Sequence, residues 1–194
     1  EFEEKPKKPK STKASMGVYL FNWELMKRYL IEDENTEGSS NDFGKDIIPK
    51  LVKDGRSVYA YDFDGYWKDV GTIQSLWEAN MDLIDENVPI ELGDRKFRIY
   101  ARNYAHPSSY VSENAVISDS IISEGCHIEG CAIHSVISTG CRIDKTAVVE
   151  NSFVMPNSVI KEGAKVIDSI ISENCSRFIF QHIYRSSTAQ WLSC

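Results

Sequence analysis

The chain has 194 residues, 42% hydrophobic and 26% charged, the profile of a globular protein, and no apolar run approaches the roughly 18 residues that cross a bilayer. Its net charge of −7 speaks against nucleic acid as a partner, because such surfaces are basic, and the charged start Glu1-Phe2-Glu3-Glu4-Lys5 is unlike a signal peptide. Five cysteines with no CxxC pair offer neither zinc-site spacing nor a disulfide framework, so a cytoplasmic setting without membrane contact is expected.

The basic run Lys5, Lys7, Lys8, Lys10 and Lys13 opens the chain; Lys7, Lys8 and Lys10 read as a solvated loop. Ser15–Phe21 and Ser57–Phe63 are apolar, β-branched and aromatic, which predicts strands. Between them, Asn22 predicts the cap of a helix over Trp23–Glu32, with Leu25, Met26, Tyr29 and Leu30 on one face. A second helix is expected over Asp46–Asp54, started or kinked at Pro49 and ended by Gly55. Thr72 caps a third, whose stripe is Ile73, Leu76, Trp77, Leu83 and Ile84; Trp77 reads as a packing residue. Alternating strand and helix predicts an α/β layer, and its strands are too few for a parallel sheet covered on both sides, so the sheet is expected to begin before Glu1. Residues 87–104 read as a linker.

An internal repeat follows. Units starting at Ser120, Ser135, Ser152 and Ser169 are offset by 15, 17 and 17 residues, and within them an aliphatic residue recurs after six positions, Ile122 to Ile128, Ile137 to Ile143 and Val154 to Ile160. That period suits a triangular coil of short parallel strands whose stacked aliphatics make a continuous core. Gly125, Gly140, Asn157 and Asn174 share one turn position, where positive φ is tolerated. Cys126, Cys141, Ser158 and Cys175 take the next, as small structural side chains. The period fails after Cys175, where Arg177 falls on an aliphatic position, and residues 177–194 read as an atypical tail without a function.

Three clusters bear possible chemistry: Glu3-Glu4-Lys5-Pro6, Ser40-Asn41-Asp42-Phe43-Gly44-Lys45-Asp46, and Gly65-Tyr66-Trp67-Lys68-Asp69-Val70-Gly71-Thr72. Two of them precede helix starts, whose free N–H groups favour anions. Together with Ala14-Ser15-Met16-Gly17-Val18-Tyr19 and Leu76-Trp77-Glu78-Ala79-Asn80-Met81-Asp82-Leu83, their order and spacing resemble the sugar-nucleotide pyrophosphorylases, in particular the glucose-1-phosphate adenylyltransferases. The resemblance runs from Phe2 to Cys175. It implies part of a Rossmann-like nucleotidyltransferase sheet over residues 1–86, the linker 87–104 and a left-handed parallel β-helix over 105–176.

The resemblance also implies a reaction of ATP with α-D-glucose 1-phosphate to give ADP-glucose and diphosphate, for glycogen or starch synthesis. Positioning and charge neutralisation dominate such chemistry. Lys5 would bind the sugar phosphate, Glu4 the sugar hydroxyls, and Ser15, Tyr19, Asp42, Phe43 and Trp67 would line the sugar pocket. Asp69 would ligate Mg²⁺. A homo- or hetero-tetramer is implied, with effectors near the junction of the two domains.

The family's glycine-rich phosphate loop, adenine pocket and first metal-binding aspartate have no counterpart in this sequence, which predicts an N-terminally truncated chain, inactive alone. Two alternatives stand beside the enzyme: a non-catalytic regulatory or assembly subunit of the same family, and a hexapeptide-repeat acyltransferase using coenzyme A with His127 or His134 as base. His127 shares its repeat position with Arg142 and Val159, so an outward side chain is the simpler expectation.

Overall fold

The computed structural model describes residues 2–3, 5–87, 92, 94–96, 98–100, 105–176, 182–183 and 191–192. Glu4, much of the linker and most of the tail lie outside the described residues. The chain divides into two compact units, Glu1–Asp64 and Gly65–Cys194.

In Glu1–Asp64, the Asn22 side chain accepts the Leu25 N–H at 3.1 Å and caps α1 (Trp23–Glu34), as a short polar side chain does at a helix start. Buried Met26 and Tyr29 meet Ile47 and Leu51 in a small core, with Leu25 and Leu30 packed beside it. The second predicted helix begins earlier than expected, as a π-helical turn Phe43–Ile47 that runs into α2 (Ile48–Lys53). Pro49 accounts for the wide turn. It has no N–H for the carbonyl four residues back, and its ring crowds that carbonyl, so the Ile48 N–H reaches Phe43 O instead.

The expected strands need correction. Neither Ser15–Phe21 nor Ser57–Phe63 joins a ladder among the described residues, so this unit shows helices without a Rossmann-like sheet. A strand exists only when a neighbour takes its N–H and C=O groups, and side-chain character cannot supply that neighbour. Leu20 is consequently fully exposed and Tyr59 and Tyr61 are each 88% exposed.

The Gly65–Cys194 unit opens with α3 (Ile73–Met81), started by a capping box in which Thr72 and Ser75 satisfy each other's backbone N–H. The helix ends before Leu83 and Ile84, which lie in turns rather than on its stripe. The predicted left-handed β-helix follows, with three wholly parallel sheets. The first stacks β1 (Tyr110–Val111), β4 (His127–Ile128), β7 (Arg142–Ile143) and β10 (Val159–Ile160). The second stacks β2 (Val116–Ser118), β5 (Cys131–Ile133), β8 (Val148–Glu150) and β11 (Lys165–Ile167). The third stacks β3 (Ile121–Ile122), β6 (Val136–Ile137), β9 (Phe153–Val154) and β12 (Ile170–Ile171). The backbone of β13 (His182–Ile183) adds to the second sheet and that of β14 (Trp191–Leu192) to the third.

Three columns fill the coil: Ile128, Ile143 and Ile160; Ala132, Val149 and Val166; and Ile137, Val154 and Ile171, all fully buried. Each corner has its own chemistry. Gly125, Gly140, Asn157 and Asn174 hold positive φ, as the repeat predicts. Asp119, His134, Asn151 and Asp168 also hold positive φ at another corner, each just before a repeat serine. There Ser135, Ser152 and Ser169 donate to the carbonyl two residues back, while their N–H groups bond the hydroxyls of Ser120, Ser135 and Ser152 on the preceding coil. The 15-residue coil loses its two residues at a third corner. Ile128 to Ala132 spans four positions where Ile143 to Val149 spans six, and Gly130 sits in the shortened turn.

Candidate active site

Unit Glu1–Asp64 holds Lys5, Ser15, Tyr19, Asp42 and Phe43. Lys5 is exposed at φ +46°, an uncommon conformation for a non-glycine residue and one that its environment must hold. Gly17, at φ +71°, turns the chain so that Ser15 and Tyr19 meet: their hydroxyls lie 3.1 Å apart, and Ser15 Oγ accepts the Gly17 N–H at 3.2 Å. Asp42 caps the π-helical turn through Oδ1, which accepts from Gly44 N at 2.8 Å and Lys45 N at 2.9 Å. Phe43 opens that turn, and its ring stacks on Tyr19 with centroids 5.9 Å apart. Ser15, Tyr19 and Phe43 are thus contiguous, with Asp42 adjoining Phe43 in the chain.

Two residues that carry this arrangement are not among the site residues singled out from the sequence, although Asp46 closes one of its motif clusters. Asp46 Oδ2 accepts from Ser40 Oγ at 2.6 Å, Asp42 N at 3.1 Å and Ser40 N at 3.2 Å, locking the loop that presents Asp42 and Phe43. The Ser40 hydroxyl, then the Asp42 N–H, hold the Asp46 carboxyl below its ordinary value. Phe21 packs against both Tyr19 and Phe43, with ring centroids at 5.7 and 5.9 Å. The available signals were local: a carboxylate four residues after Asp42, and an aromatic two residues after Tyr19.

Unit Gly65–Cys194 holds Trp67 and Asp69. Their neighbours are the anchors: Tyr66 Oη donates to Asp82 at 2.8 Å, and Lys68 Nζ bonds Asp82 at 2.9 Å and pairs with Glu78 at 3.4 Å. Lys68 is raised chiefly by its bond to Asp82; Tyr66 is raised chiefly by burial, then by Asp82. With alternate residues tied to α3, Trp67 and Asp69 remain exposed, Trp67 by 45%. Asp69 Oδ1 accepts the Gly71 N–H at 2.9 Å, and a Cβ at Gly71 would approach that oxygen to 3.1 Å, so glycine fits the turn that sets the carboxylate. Trp77 is half-buried, and its Nε1–H donates to Asn151 O at 2.9 Å, docking α3 on the coil.

Among the described residues, no cluster of three or more His, Cys, Asp or Glu side chains is placed to hold a metal ion. Asp69 presents a single exposed carboxylate. His127 stands in register with Arg142, which pairs in turn with Val159, on the outward positions of the first sheet. His134 Nδ1 lies 2.6 Å from Asp119 at a coil corner. Among the described residues, no helix is long and apolar enough to cross a membrane.

Residues 1–86 match the nucleotidyl transferase family, and residues 106–179 match the GlmU-like C-terminal hexapeptide family. Curated relatives named glucose-1-phosphate adenylyltransferase include those of Geobacillus stearothermophilus, 55% identical over 77% of this chain and 39% of the relative, and Clostridium kluyveri, 54% identical over 80% and 40%. That of Clostridium botulinum (strain Eklund 17B / Type B) is 52% identical over 78% and 39%. The chain spans about two fifths of the length of these relatives. It joins a segment similar to the nucleotidyl transferase family to a hexapeptide β-helix, and its sequence is similar to that of the glucose-1-phosphate adenylyltransferases.

Proposed function

We propose that this chain is the sugar-phosphate-handling and β-helical part of an enzyme that converts ATP and α-D-glucose 1-phosphate to ADP-glucose and diphosphate. The carrying observation is identity of 52–55% to relatives bearing that enzyme's name, extending through both the catalytic segment and the β-helix. In that reaction a phosphate oxygen of the sugar attacks the α-phosphorus of ATP in line, and diphosphate leaves with the bonding electrons of the broken P–O bond.

Lys5 supplies a point positive charge to the sugar phosphate, Glu4 accepts from sugar hydroxyls, and Ser15 and Tyr19 present paired hydroxyls to the sugar. Asp42 offers Oδ2, its Oδ1 being committed to the helix cap. Phe43 and Trp67 add apolar surface. Asp69 Oδ2 is the oxygen available to Mg²⁺, which when bound neutralises phosphate charge. The same reading carries glycogen or starch synthesis, a cytoplasmic setting and tetrameric assembly.

Calorimetric titration of the chain with α-D-glucose 1-phosphate tests the proposal. Binding is expected, weakened roughly 10- to 100-fold in Lys5→Ala, the loss of a hydrogen bond to a charged group. Absence of binding, or binding of mannose 1-phosphate in preference, would overturn it.

A further inference from the structure

We infer that Phe21 is a sugar-positioning residue, the third ring of an aromatic platform that receives the apolar face of a hexose phosphate's pyranose ring. The inference rests on the function proposed above and extends it to a residue that no motif marks. Tyr19 and Phe21 stand at i and i+2, which share a face in an extended segment, while Phe43 comes from the π-helical turn. Their centroids form a nearly equilateral triangle of 5.7, 5.9 and 5.9 Å, with interplanar angles of 33°, 19° and 21°.

These rings are not the unit's core. Met26, Tyr29, Ile47 and Leu51 form that core and are buried, whereas Tyr19, Phe21 and Phe43 remain 38%, 38% and 39% exposed after packing on one another. The three partly exposed rings, with Phe43 stacked on both others, leave apolar surface open to a ligand. Its rim is polar: the Tyr19 and Ser15 hydroxyls lie 3.1 Å apart, and Asp42 directly precedes Phe43. A pyranose has the complementary layout, with a face of C–H bonds that packs on the electron-rich faces of aromatic rings and hydroxyls around its edge. Small-ligand sites commonly combine such an apolar surface with a few placed polar groups. Tyr19 is named in the proposed site, and Phe21 fixes one side of its ring while Phe43 fixes another. Loss of Phe21 should therefore remove surface under the sugar and release Tyr19.

The test is parallel titration of the full chain and its variants with α-D-glucose 1-phosphate and with inorganic phosphate, followed by calorimetry. NMR of ring-labelled phenylalanine is added, with the Phe21 signal assigned by its loss in Phe21→Leu. Phe21→Leu is expected to weaken glucose 1-phosphate about tenfold, the size of one good aromatic contact, without changing the affinity for inorganic phosphate. Phe21→Trp should retain sugar-phosphate affinity, and the Phe21 ring signal should move with glucose 1-phosphate and stay still with inorganic phosphate.

If Phe21→Leu binds glucose 1-phosphate like the parent while Lys5→Ala does not, the role of Phe21 is overturned and the proposed function stands. If both ligands weaken together in Phe21→Leu, the residue serves only the fold and the inference is overturned. If the parent chain ignores glucose 1-phosphate, the function and the inference fall together.

Discussion

The β-helix and the Glu1–Asp64 unit solve the same problem, satisfying polar backbone while burying apolar surface, by different chemistry. In the coil, neutral donors repeat along the stack. The hydroxyls of Ser135, Ser152 and Ser169 close one corner; at another, Cys126 Sγ lies 3.1 Å from Ser138 O, Cys141 Sγ 3.1 Å from Met155 O and Ser158 Oγ 2.7 Å from Ser172 O. Cysteine and serine are interchangeable there because either offers a small donor to the next coil. The Glu1–Asp64 unit ties its small core to ionised groups: Tyr29 Oη donates to Asp54 at 2.8 Å and accepts from Arg56 Nε at 3.0 Å, and Lys50 pairs with Glu32 and Asp54. The coil also has ion pairs, such as Arg142 with Glu129 and Asp144, but they lie outside its neutral corner ladders. Stacking permits neutral ladders, since every coil offers the next the same carbonyl; a unit without repetition brings together different charges from distant positions. The two regions should therefore break differently.

The largest difference is steric. A Cβ at Gly130 would lie 2.5 Å from Asp144 O, against Ala147 O as well, and 3.0 Å from an Ile143 methyl. Backbone carbonyls of the next coil cannot swing aside as a side chain can, so Gly130→Ala should exceed the ~1–3 kcal/mol usual for overpacking. Gly55→Ala, at φ +66° with open space around the added carbon, meets only left-handed strain of roughly 1–2 kcal/mol. Chemical denaturation of the two variants should rank them in that order; equal losses would show that the shortened corner relaxes.

Next is the serine ladder. Ser152→Ala removes the acceptor of the Ser169 N–H and the donor to Glu150 O in a fully buried corner. Leaving such groups unpaired costs about 1–3 kcal/mol, and amide exchange at Ser169 should accelerate more than at the flanking strands. Unchanged protection there would mean that the ladder follows the coil without holding it.

Legibility in the sequence divides along the same line. Repetition exposed the Gly125–Asn174 turn column and two of the three aliphatic columns, because each position is sampled several times; the Ala132, Val149 and Val166 column required the structure. It exposed the repeat serines as markers but not their bonds, which cross between coils. The 15-versus-17 offset was visible, while its location at Gly130 required the stacked backbone. In Glu1–Asp64, the Asn22 cap was local and readable. The Ser15–Phe21 and Ser57–Phe63 strands were misassigned because strand identity depends on a partner elsewhere in the chain. Pro49 announced a disturbance, and only the hydrogen-bond pattern shows that it takes the form of a π-helical turn. Candidate site residues emerged from motif order; Asp46 lay within a motif but its loop-locking role depends on bonds to Ser40 and Asp42, and Phe21 lay outside the motifs.

Titration in base should separate the regions further. Burial pushes the Cys141 thiol up from 9.0 to about 12. Between those values the unfolded chain releases a proton that the folded chain retains, so stability is fully present below pH 9 and falls as pH rises toward 12. The slope from this group approaches ~1.4 kcal/mol per pH unit. Cys141→Ser keeps a donor to Met155 O and removes the titration, so the difference between parent and variant should shrink or invert above pH 9. A constant difference from pH 7 to 11 would contradict the buried neutral thiol. Iodoacetamide should likewise leave native Cys141 unmodified at pH 8, because the thiolate is the nucleophile.

The smallest expected effect lies in acid and in the other unit. Tyr29 is the leading cause holding the Asp54 carboxyl below its ordinary value, with Lys50 and Arg56 adding to it. A depressed carboxyl stabilises the fold above the unfolded value of 3.8 and loses that contribution as pH falls through the folded value, the reverse of Cys141. Tyr29→Phe keeps the buried ring and deletes both hydroxyl bonds, at a cost of about 0.5–1.5 kcal/mol near neutrality. NMR titration should then find the Asp54 carboxyl moved upward toward its ordinary value, with the stability difference from the parent shrinking as the solution is acidified past it. An Asp54 titration unchanged by Tyr29→Phe would assign the depression to Lys50 and Arg56 alone, and the contrast between the coil's neutral corner ladders and an ion-tied helical core would then rest on charge pairs without the tyrosine.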